Sequence, residues 1–331
     1  VAPKPTHWRC LNCDYVHEGD SPPECCQVCG AGPDKFETLP TLEEQTVSTS
    51  APKKIVIAGA GVSGISAAEA ARKAAPEAEI TVLSRESDIP YYRLNLTRYL
   101  AGEIEPESLP IHPRKWYEDN RIELRLEAEI QSLDPKKHRL KLKDQSTIDY
   151  DRLVVALGAH PFVPAIPGVN RENVTTLRTR ADAEALLHRI APQMNCVVIG
   201  GGILGLEAAA ALARRGARVA LAEGFGWLLP RQLNRAAGEM LARYVRELGI
   251  ELITDARIKQ LDGDEQVRGV VLESGQTLPA ELVLVTAGVR SNTFLARLAE
   301  LNVSDGIIVD NHLRTSDPDI YAVGDVCEHL G

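Results

Sequence analysis

Hydrophobic positions in residues 53–86 form a strand-like run, then a helical spacing, then a second strand-like run. The segment reads KKIVIAGAGVSGISAAEAARKAAPEAEITVLSRE, with a glycine-rich turn after the first apolar run and an alanine-rich stretch before the second. Short apolar runs bounded by turn residues are typical of buried strands, and apolar positions three and four apart are typical of a helix. The pattern therefore predicts a strand, a turn, a helix and a second strand.

The same pattern recurs at residues 195–223, which read NCVVIGGGILGLEAAAALARRGARVALAE. Gly216 stands where a glycine commonly ends a helix, shortly before the second apolar run. Two strand–helix–strand units in one chain predict an α/β fold with two Rossmann-like dinucleotide-binding domains.

The first 40 residues lack this periodicity. They are rich in Pro and Gly, hold most of the cysteines and offer too few large apolar groups for a core, so a bound metal must stabilise them. Residues 41–53, TLEEQTVSTSAPK, have the composition of a flexible linker. A linker of this length has an r.m.s. reach of about 20 Å. We therefore expect a small metal-stapled β domain, a linker and a large α/β part.

Charge and composition narrow the range of partners. The formal net charge of −9 argues against nucleic acid and anionic membranes, which both bind clustered Lys and Arg. The longest apolar stretch, residues 196–213, contains Glu207 and several glycines, so we predict no membrane span. Seven cysteines, four of them in metal-ligand spacing, fit a reducing compartment better than a disulfide framework. We therefore expect a cytoplasmic protein whose partners are small molecules and proteins.

The first glycine-rich turn matches the GxGxxG fingerprint of dinucleotide-binding proteins. Its candidate cofactor-binding residues are Gly59, Gly61, Val62, Ser63 and Gly64. The glycines permit a tight turn, close approach of a pyrophosphate and close packing of helix on strand, and the helix N-terminus then faces the phosphates. An acid about 20 residues further on binds ribose hydroxyls in such sites. Glu86 is the best placed, with Asp88 as the second choice.

The second fingerprint consists of Gly200, Gly202 and Gly205, with Glu223 at the end of the following strand. A carboxylate there accepts from a free 2′-hydroxyl and repels a 2′-phosphate, so Glu223 favours NADH over NADPH. For Glu86 and Glu223 taken singly, a solvated carboxylate at a strand end is the alternative. Two complete fingerprints in one chain are a far stronger signal than a single GxGxxG.

Four cysteines in the first 40 residues form two CxxC pairs, Cys10 with Cys13 and Cys26 with Cys29. Two such turns can direct four thiolates at one centre, which makes a tetrahedral site suited to zinc or iron. Only Cys26 keeps the CxxC spacing with Cys29, so we assign it as the ligand, although the adjoining Cys25 could compete with it. Spacing alone favours a zinc ribbon.

From residue 54 to residue 331 the chain resembles the flavoprotein reductases with two dinucleotide-binding domains that are related to glutathione reductase. Besides the fingerprints, the resemblance is carried by YDRLVVALGAHP at 150–161, LVLVTAGVR at 282–290 and TSDPDIYAVGD at 315–325. It implies that the first fingerprint binds FAD and the second NAD(H). It also implies that Asp325 holds the ribityl chain of the flavin.

The resemblance implies a division of the chain into consecutive parts. We expect a metal domain at residues 1–40 and a linker at 41–53. A first FAD-binding part at 54–165, an NAD(H)-binding domain at 166–287 and an FAD-binding return segment at 288–331 follow. Members of the family carry a further C-terminal interface domain, which we expect this chain to lack. The sequence leaves open whether the protein forms a homo-oligomer.

Within that family, PYYRLNLTRYLAGE at 90–103 and LPRQLN at 229–234 are most similar to reductases of rubredoxin and to the flavoprotein part of NADH-dependent nitrite reductase. The similarity implies that Arg93 lies beside the flavin, where a cation stabilises negative charge on the reduced ring; an exposed arginine is the alternative. It also implies that Glu207 lies near the nicotinamide, although it could be merely a polar residue in the first helical turn. Residues 91–104 lack the CxxxxC pair of disulfide reductases, so we expect no thiol chemistry at the flavin.

Residues 8–37, WRCLNCDYVHEGDSPPECCQVCGAGPDKFE, resemble the short rubredoxin domain of rubrerythrins. Trp8, Tyr15 and Phe36 stand where rubredoxins keep their aromatic core. The resemblance favours one iron at the four-cysteine site, with zinc as the alternative.

These features together predict an NADH-oxidising FAD protein that passes electrons through the fused iron centre to a downstream acceptor protein. A hydride delivers two electrons whereas an iron tetrathiolate accepts one, so the flavin must divide the pair. One alternative is the electron-input flavoprotein of a nitrite reductase or an NADH oxidase, with a structural metal cage. A redox-sensing or scaffold protein is the non-enzymatic alternative.

Overall fold

The computed structural model describes residues 7–12, 15–39 and 52–329. The predicted linker therefore lies outside the described residues except for its last two positions. The chain forms two compact units. The first takes in the described residues of Val1–Pro90, His112–Ala159 and Ser291–Gly331, and the second Tyr91–Ile111 and His160–Arg290.

A five-stranded parallel sheet forms the centre of the first unit. Its strands are β4 (Lys54–Ala58), β5 (Glu79–Leu83), β6 (Ile122–Arg125), β10 (Arg152–Val155) and β22 (Ile320–Ala322), in the order β22-β10-β4-β5-β6. Helix α1 (Val62–Ala74) connects β4 to β5 as the apolar pattern predicts, and α3 (Arg114–Asp119) precedes β6. Four of the five residues of β4 are buried, because a parallel strand is covered on both faces.

Two smaller sheets and a short helix complete the large part of the first unit. An antiparallel sheet consists of β7 (Ile130–Asp134), β8 (Arg139–Leu142) and β9 (Thr147–Asp149). Strands β21 (Ile307–Val309) and β23 (Cys327–His329) pair in parallel, and α7 (Phe294–Leu298) precedes them. Their apolar side chains share one core with β4 and β10.

The N-terminal module, residues 7–39, is a three-stranded antiparallel sheet. Its strands β1 (His7–Cys10), β2 (Val16–Glu18) and β3 (Phe36–Leu39) lie in the order β2-β1-β3. Among its described residues the buried core consists of Cys10, Cys26 and Phe36, with Trp8 and Tyr15 packed against them. So small a core agrees with the expectation that a metal stabilises the module.

The second unit repeats the five-stranded parallel sheet. The order is β12-β19-β13-β14-β15, with β12 (Val174–Thr175), β13 (Asn195–Ile199), β14 (Arg218–Ala222), β15 (Glu251–Ile253) and β19 (Leu282–Val285). Its helices are α2 (Leu96–Leu100), α4 (Arg180–Arg189), α5 (Ile203–Arg214) and α6 (Arg235–Glu247). An antiparallel sheet of β16 (Ile258–Gly263), β17 (Val267–Leu272) and β18 (Thr277–Pro279) packs on it.

The units are bounded differently from the domains expected from sequence. Segment Tyr91–Ile111 belongs to the second unit, because Leu96, Leu100 and Leu109 are buried in the core around α5 and β13. Two further strands, β11 (Ala159–Pro161) and β20 (Val289–Ser291), lie where the chain passes from one unit to the other. None of the helices in the described part of the chain combines the length and apolar character needed to cross a bilayer.

Candidate cofactor and metal sites

Two glycines of the first fingerprint are required by the protein's own backbone. Gly59 has a φ of 115°, and a Cβ there would lie 2.2 Å from the carbonyl oxygen of Ala156. A Cβ at Gly64 would lie 2.0 Å from the carbonyl oxygen of Gly59. Both positions therefore need glycine for the turn between β4 and α1 and for close packing of the helix on the sheet.

Gly61 is different, because nothing in the described part of the chain requires a glycine there. Its φ of −75° and ψ of −177° suit any residue, and no described atom lies within 4 Å of a Cβ built on it. No described side chain caps α1, whose N-terminus begins at this open space. The open space at Gly61, which a Cβ would fill, lies at the positive end of α1 and fits a pyrophosphate. We call this space a cradle.

The second fingerprint repeats this arrangement in the second unit. Gly200 has a φ of 110°, and a Cβ there would lie 2.6 Å from the carbonyl oxygen of Thr286. A Cβ at Gly205 would lie 1.9 Å from the carbonyl oxygen of Gly200. Gly202, with a φ of −70° and a ψ of 177°, faces space in which no described atom comes within 4 Å. Each unit thus carries one open cradle for a dinucleotide.

Glu223 directly follows β14 and is a buried carboxylate, 6% exposed, so the solvated alternative is wrong for this residue. Its Oε2 accepts from the backbone N–H of Gly201 at 2.6 Å, and its Oε1 accepts from that of Phe225 at 2.8 Å. These two bonds fix the carboxylate beside the second glycine turn. Each oxygen keeps a further lone pair with which to accept from a ribose hydroxyl.

Glu86 and Asp88 lie in the turn after β5 and are half-buried. The backbone N–H of Glu86 donates to Ser84 Oγ at 3.1 Å, and its carbonyl accepts from the N–H of Glu127 at 3.1 Å. The turn is therefore held by its own backbone. The role of either carboxylate toward a ribose stays a prediction.

The turn that contains Gly324 and Asp325, called the GD turn below, lies against the first fingerprint within the first unit. Asp325 is exposed on the short 3-10 turn Gly324–Val326, and its carbonyl accepts from Ser291 Oγ at 2.8 Å. Gly324 has a φ of 77°, and a Cβ there would lie 2.3 Å from Ser63 Oγ. Residues more than 250 positions apart in sequence thus form one edge of the candidate FAD site, which the sequence pattern could not show.

Arg93 is half-buried and held in place, which argues against a freely exposed arginine. Its Nη1 donates to Tyr91 Oη at 2.9 Å and to the carbonyl oxygen of Arg178 at 3.0 Å. The guanidinium also lies 5.2 Å from the centre of the Tyr91 ring. Tyr91 Oη accepts a second bond, from the N–H of Arg180 at 2.9 Å. Sequence reasoning missed Tyr91, which stands beside the predicted residue in PYYRLN.

Glu207 is exposed on α5, and Thr97 Oγ1 donates to its Oε2 at 2.8 Å. Thr97 is itself only 5% exposed, so the contact anchors the carboxylate. Both residues line a groove of about 460 Å³ together with Ala211 and Leu248. The sequence offered no signal for Thr97, because the contact joins α2 to α5 across 110 positions.

Three of the four predicted metal ligands converge in the N-terminal module. The Sγ atoms of Cys10, Cys26 and Cys29 lie within 4.8 Å of one another, and those of Cys10 and Cys29 are 3.6 Å apart. Tetrahedral thiolates at metal–sulfur distances near 2.3 Å stand about 3.8 Å apart. The three thiols therefore fit a tetrahedral metal, whereas Cys13 lies outside the described residues.

Burial separates Cys26 from its neighbour Cys25. Cys26 is 2% exposed and belongs to the thiol cluster, whereas Cys25 is exposed and does not. Tight turns present the thiols: the N–H of Cys26 donates to the carbonyl oxygen of Ala31 at 2.7 Å, and that of Cys10 to Tyr15 at 2.8 Å. The geometry favours Cys26 as the ligand.

The two remaining described cysteines have environments that make thiolates unfavourable. Cys196 is 1% exposed on β13, and burial raises its pKa to about 11. Cys327 is half-buried and donates to the carbonyl oxygen of Gly324 at 3.2 Å; burial is the main reason that its pKa is also raised. Neutral thiols are poor nucleophiles, so the surroundings of both residues disfavour a role as an attacking group.

Comparison with known proteins agrees with this arrangement. Residues 53–331 match the family described as "Pyridine nucleotide-disulphide oxidoreductase", and the chain belongs to that family. It is therefore an oxidoreductase with the two-nucleotide α/β fold, as predicted. Residues 8–37 match the family "Rubrerythrin, rubredoxin-like domain", which confirms the resemblance of the N-terminal module.

Individual relatives are electron-transfer reductases. The chain is 34% identical to a rubredoxin-NAD(+) reductase of Pseudomonas putida, over 82% of this chain and 71% of the relative. It is 32% identical to a nitrite reductase [NAD(P)H] of Bacillus subtilis, over 84% of this chain but 35% of the relative. Among solved structures, NADH:rubredoxin oxidoreductase from Clostridium acetobutylicum matches with a TM-score of 0.72 at 31% identity, over 83% of this chain and 68% of that one.

Proposed function

We propose that this protein oxidises NADH and passes the electrons through FAD to a rubredoxin-type iron centre in its own N-terminal module, and from there to an acceptor protein. The observation that carries the proposal is the coexistence of two open dinucleotide cradles with a three-thiol cluster in one chain. The rubredoxin-NAD(+) reductases among its relatives support the same direction of electron flow.

FAD would be held in the first unit by the cradle at Gly61, the adjoining Val62 and Ser63, and Asp325 on the GD turn. When bound, FAD accepts a hydride from NADH and releases electrons singly. The chain contributes the N–H groups and the positive end of α1, which stabilise the pyrophosphate. Glu86 would accept from an adenosine ribose.

NADH would lie over the second cradle at Gly202. The buried carboxylate of Glu223, fixed by two backbone N–H groups, accepts from the 2′-hydroxyl of the adenosine ribose and repels a 2′-phosphate. We expect catalytic efficiency to favour NADH over NADPH by at least about ten-fold, since an unpaired 2′-phosphate beside this carboxylate costs more than about 1.4 kcal/mol. Preference for NADPH in steady-state kinetics contradicts this assignment.

Two anchored side chains would position the reacting rings. Arg93, held by Tyr91 and the carbonyl of Arg178, presents a fixed positive charge that favours negative charge on the reduced flavin. Glu207, held by Thr97, would orient the nicotinamide. These roles follow the family resemblance, and the hydrogen bonds explain how the chain fixes each group.

Iron would be held by Cys10, Cys26 and Cys29 with Cys13 as the fourth ligand. Zinc fits the same thiolates but has no redox chemistry, so metal identity decides the function. Iron in the natively produced protein supports the relay. Zinc favours the second candidate, the electron-input part of a nitrite reductase or of an NADH oxidase. The similarity to nitrite reductase supports this candidate.

The cellular setting is part of the same proposal. Seven cysteines with a metal cluster are best maintained in the reducing cytoplasm, and the chain's negative charge favours an acceptor protein with basic groups over nucleic acid or membrane.

The direct test is anaerobic titration of the iron-loaded holoprotein with NADH, followed by absorption spectroscopy. We expect the flavin band to bleach first and the ferric thiolate bands to bleach after it. Iron that stays oxidised while the flavin is reduced refutes the relay. A Cys10→Ser variant is the control, because it should lose the ferric bands and keep the flavin bleaching.

A further inference from the structure

Arg9 connects the N-terminal module to the rest of the first unit. Its Nε and Nη2 donate to Glu37 Oε1 within the module, at 2.9 and 2.5 Å. Its Nη1 donates to Glu328 Oε1 at 3.2 Å and to Asp305 Oδ2 at 3.1 Å, both outside the module. The side chains of Arg9 and Glu328 are only 14% and 20% exposed, so this ion pair is partly shielded from solvent, whereas Asp305 is 83% exposed.

The carboxylate of Glu328 is fixed before Arg9 reaches it. Its Oε2 accepts from the N–H groups of Asp305 and Gly306, both at 3.1 Å, which leaves Oε1 for the guanidinium. The loop is tight against β23, since a Cβ at Gly306 would lie 2.7 Å from the carbonyl carbon of Cys327. Because the Glu328 carboxylate is already held in place, its contact with Arg9 costs little additional side-chain entropy.

Charge makes this contact specific for Arg9. Residues 7–39 contain only two Lys or Arg side chains, Arg9 and Lys35, among a larger number of acids. An acidic module brought against Asp305 and Glu328 without Arg9 would meet like charge. The module therefore uses one of its two cations on this surface.

The contact lies close in sequence to both candidate redox sites. Arg9 directly precedes Cys10, which belongs to the thiol cluster. Glu328 follows Asp325 of the GD turn by three residues, which span at most about 10 Å of backbone. Each end of the ion pair is thus attached to a residue that would hold a redox group.

We propose that Arg9, Asp305 and Glu328 form a docking contact that seats the metal module on the FAD-binding unit for intramolecular electron transfer. This inference rests on the proposed function and names its route. NADH and two ferric ions give NAD+, two ferrous ions and one proton, with the flavin returning to FAD. Because the module would hold one iron, the acceptor protein would have to reoxidise it between the two transfers.

The docking contact distinguishes this protein from one whose module diffuses freely on its linker. A free module would meet the flavin at an effective concentration set by linker length alone. A docked module starts in contact, so its transfer rate depends on the ion pair and falls as salt screens it.

The test is the double variant Glu328→Gln with Asp305→Asn, with Glu118→Gln as the control. A glutamine oxygen can still accept from the 305–306 backbone, so the loop should keep its shape while the charges are lost. Glu118 is exposed on α3 of the same unit. Two readouts are required: the radius of gyration of the full chain by small-angle X-ray scattering, and stopped-flow rates of flavin and iron reduction by NADH.

We expect the double variant to have a larger radius of gyration and at least about ten-fold slower iron reduction, because both charge-assisted hydrogen bonds of Arg9 Nη1 are weakened. Flavin reduction should keep its wild-type rate, and Glu118→Gln should match wild type throughout. An unchanged radius or an unchanged iron-reduction rate overturns the docking proposal. Wild-type protein whose iron is never reduced, but whose radius still depends on the two acids, refutes the relay and leaves the contact standing.

Discussion

Replacing Gly61 and Gly64 separately by alanine distinguishes what the fold needs from what the cofactor needs. A Cβ at Gly64 would lie 2.0 Å from the carbonyl oxygen of Gly59, so α1 must move away from the sheet to admit it. A Cβ at Gly61 meets no described atom within 4 Å, and its φ of −75° suits alanine. We expect Gly64→Ala to damage the apoprotein and Gly61→Ala to damage only binding.

The magnitudes follow from the two environments. Overpacking of this kind costs about 3 kcal/mol, which lowers the unfolding midpoint of the unit by roughly 6–12 °C. At Gly61 the smaller entropy of the unfolded alanine chain, about 0.4–1 kcal/mol, is offset in part by the poorer helix N-cap. The midpoint of apo Gly61→Ala should therefore stay within about 2 °C of wild type.

FAD affinity provides the second readout. A methyl group at position 61 occupies the space that a pyrophosphate needs, so we expect Kd for FAD to rise at least about ten-fold, or 1.4 kcal/mol. The measurements are thermal unfolding of the apoprotein and titration of flavin fluorescence. Gly61→Ala protein that binds FAD like wild type, or that unfolds as early as Gly64→Ala, refutes the assignment of this cradle.

Three further predictions concern hydroxyl, metal and thiol groups. Tyr91→Phe removes the hydroxyl that accepts from Arg93 and should lower the flavin reduction potential in a redox titration. The unfolding free energy should fall by about 1–3 kcal/mol. An unchanged potential contradicts the positioning of Arg93. Cys25→Ser should keep the ferric thiolate spectrum that Cys10→Ser loses, and loss in both would make Cys25 a ligand. Burial raises the pKa of Cys196 to about 11 in the folded protein, so the thiol ionises at lower pH in the unfolded chain. The unfolding free energy should therefore fall as pH rises from about 8.5 toward 11. Denaturant titrations of Cys196→Ala should show a smaller fall.

Regular elements could be predicted because each is encoded locally. The apolar run before the first glycine turn predicts β4, and the alanine-rich spacing after it predicts α1; both are present. The placement of Tyr91–Ile111 in the second unit could not be predicted. Its leucines are apolar enough for either core, and only long-range packing of Leu96 and Leu100 around α5 decides between them.

The candidate site divides along the same line. Glycine spacing and CxxC spacing are local signals, so the cradles and the thiol cluster were predictable. CxxC spacing already favoured Cys26 over Cys25, and the fold adds the difference in burial between them. Burial of Glu223 and the contact of Gly324 with Ser63 depend on residues brought together by folding. Sequence could name these residues but could not say what each one touches.

Salt should affect the two electron transfers of the proposed relay through different charges. In that relay, transfer into the module would depend on Arg9. Burial lowers the pKa of Arg9, but Glu37, Glu328 and Asp305 together raise it more, so the guanidinium stays charged. Transfer out of the module to a basic acceptor depends on its exposed acids, such as Asp20 and Glu24. Added salt weakens both contacts, whereas removing the charge of Glu328 weakens only the first. Comparing the salt dependence of iron reduction and of acceptor reduction in the Glu328→Gln and Asp305→Asn double variant therefore separates the internal contact from the external one.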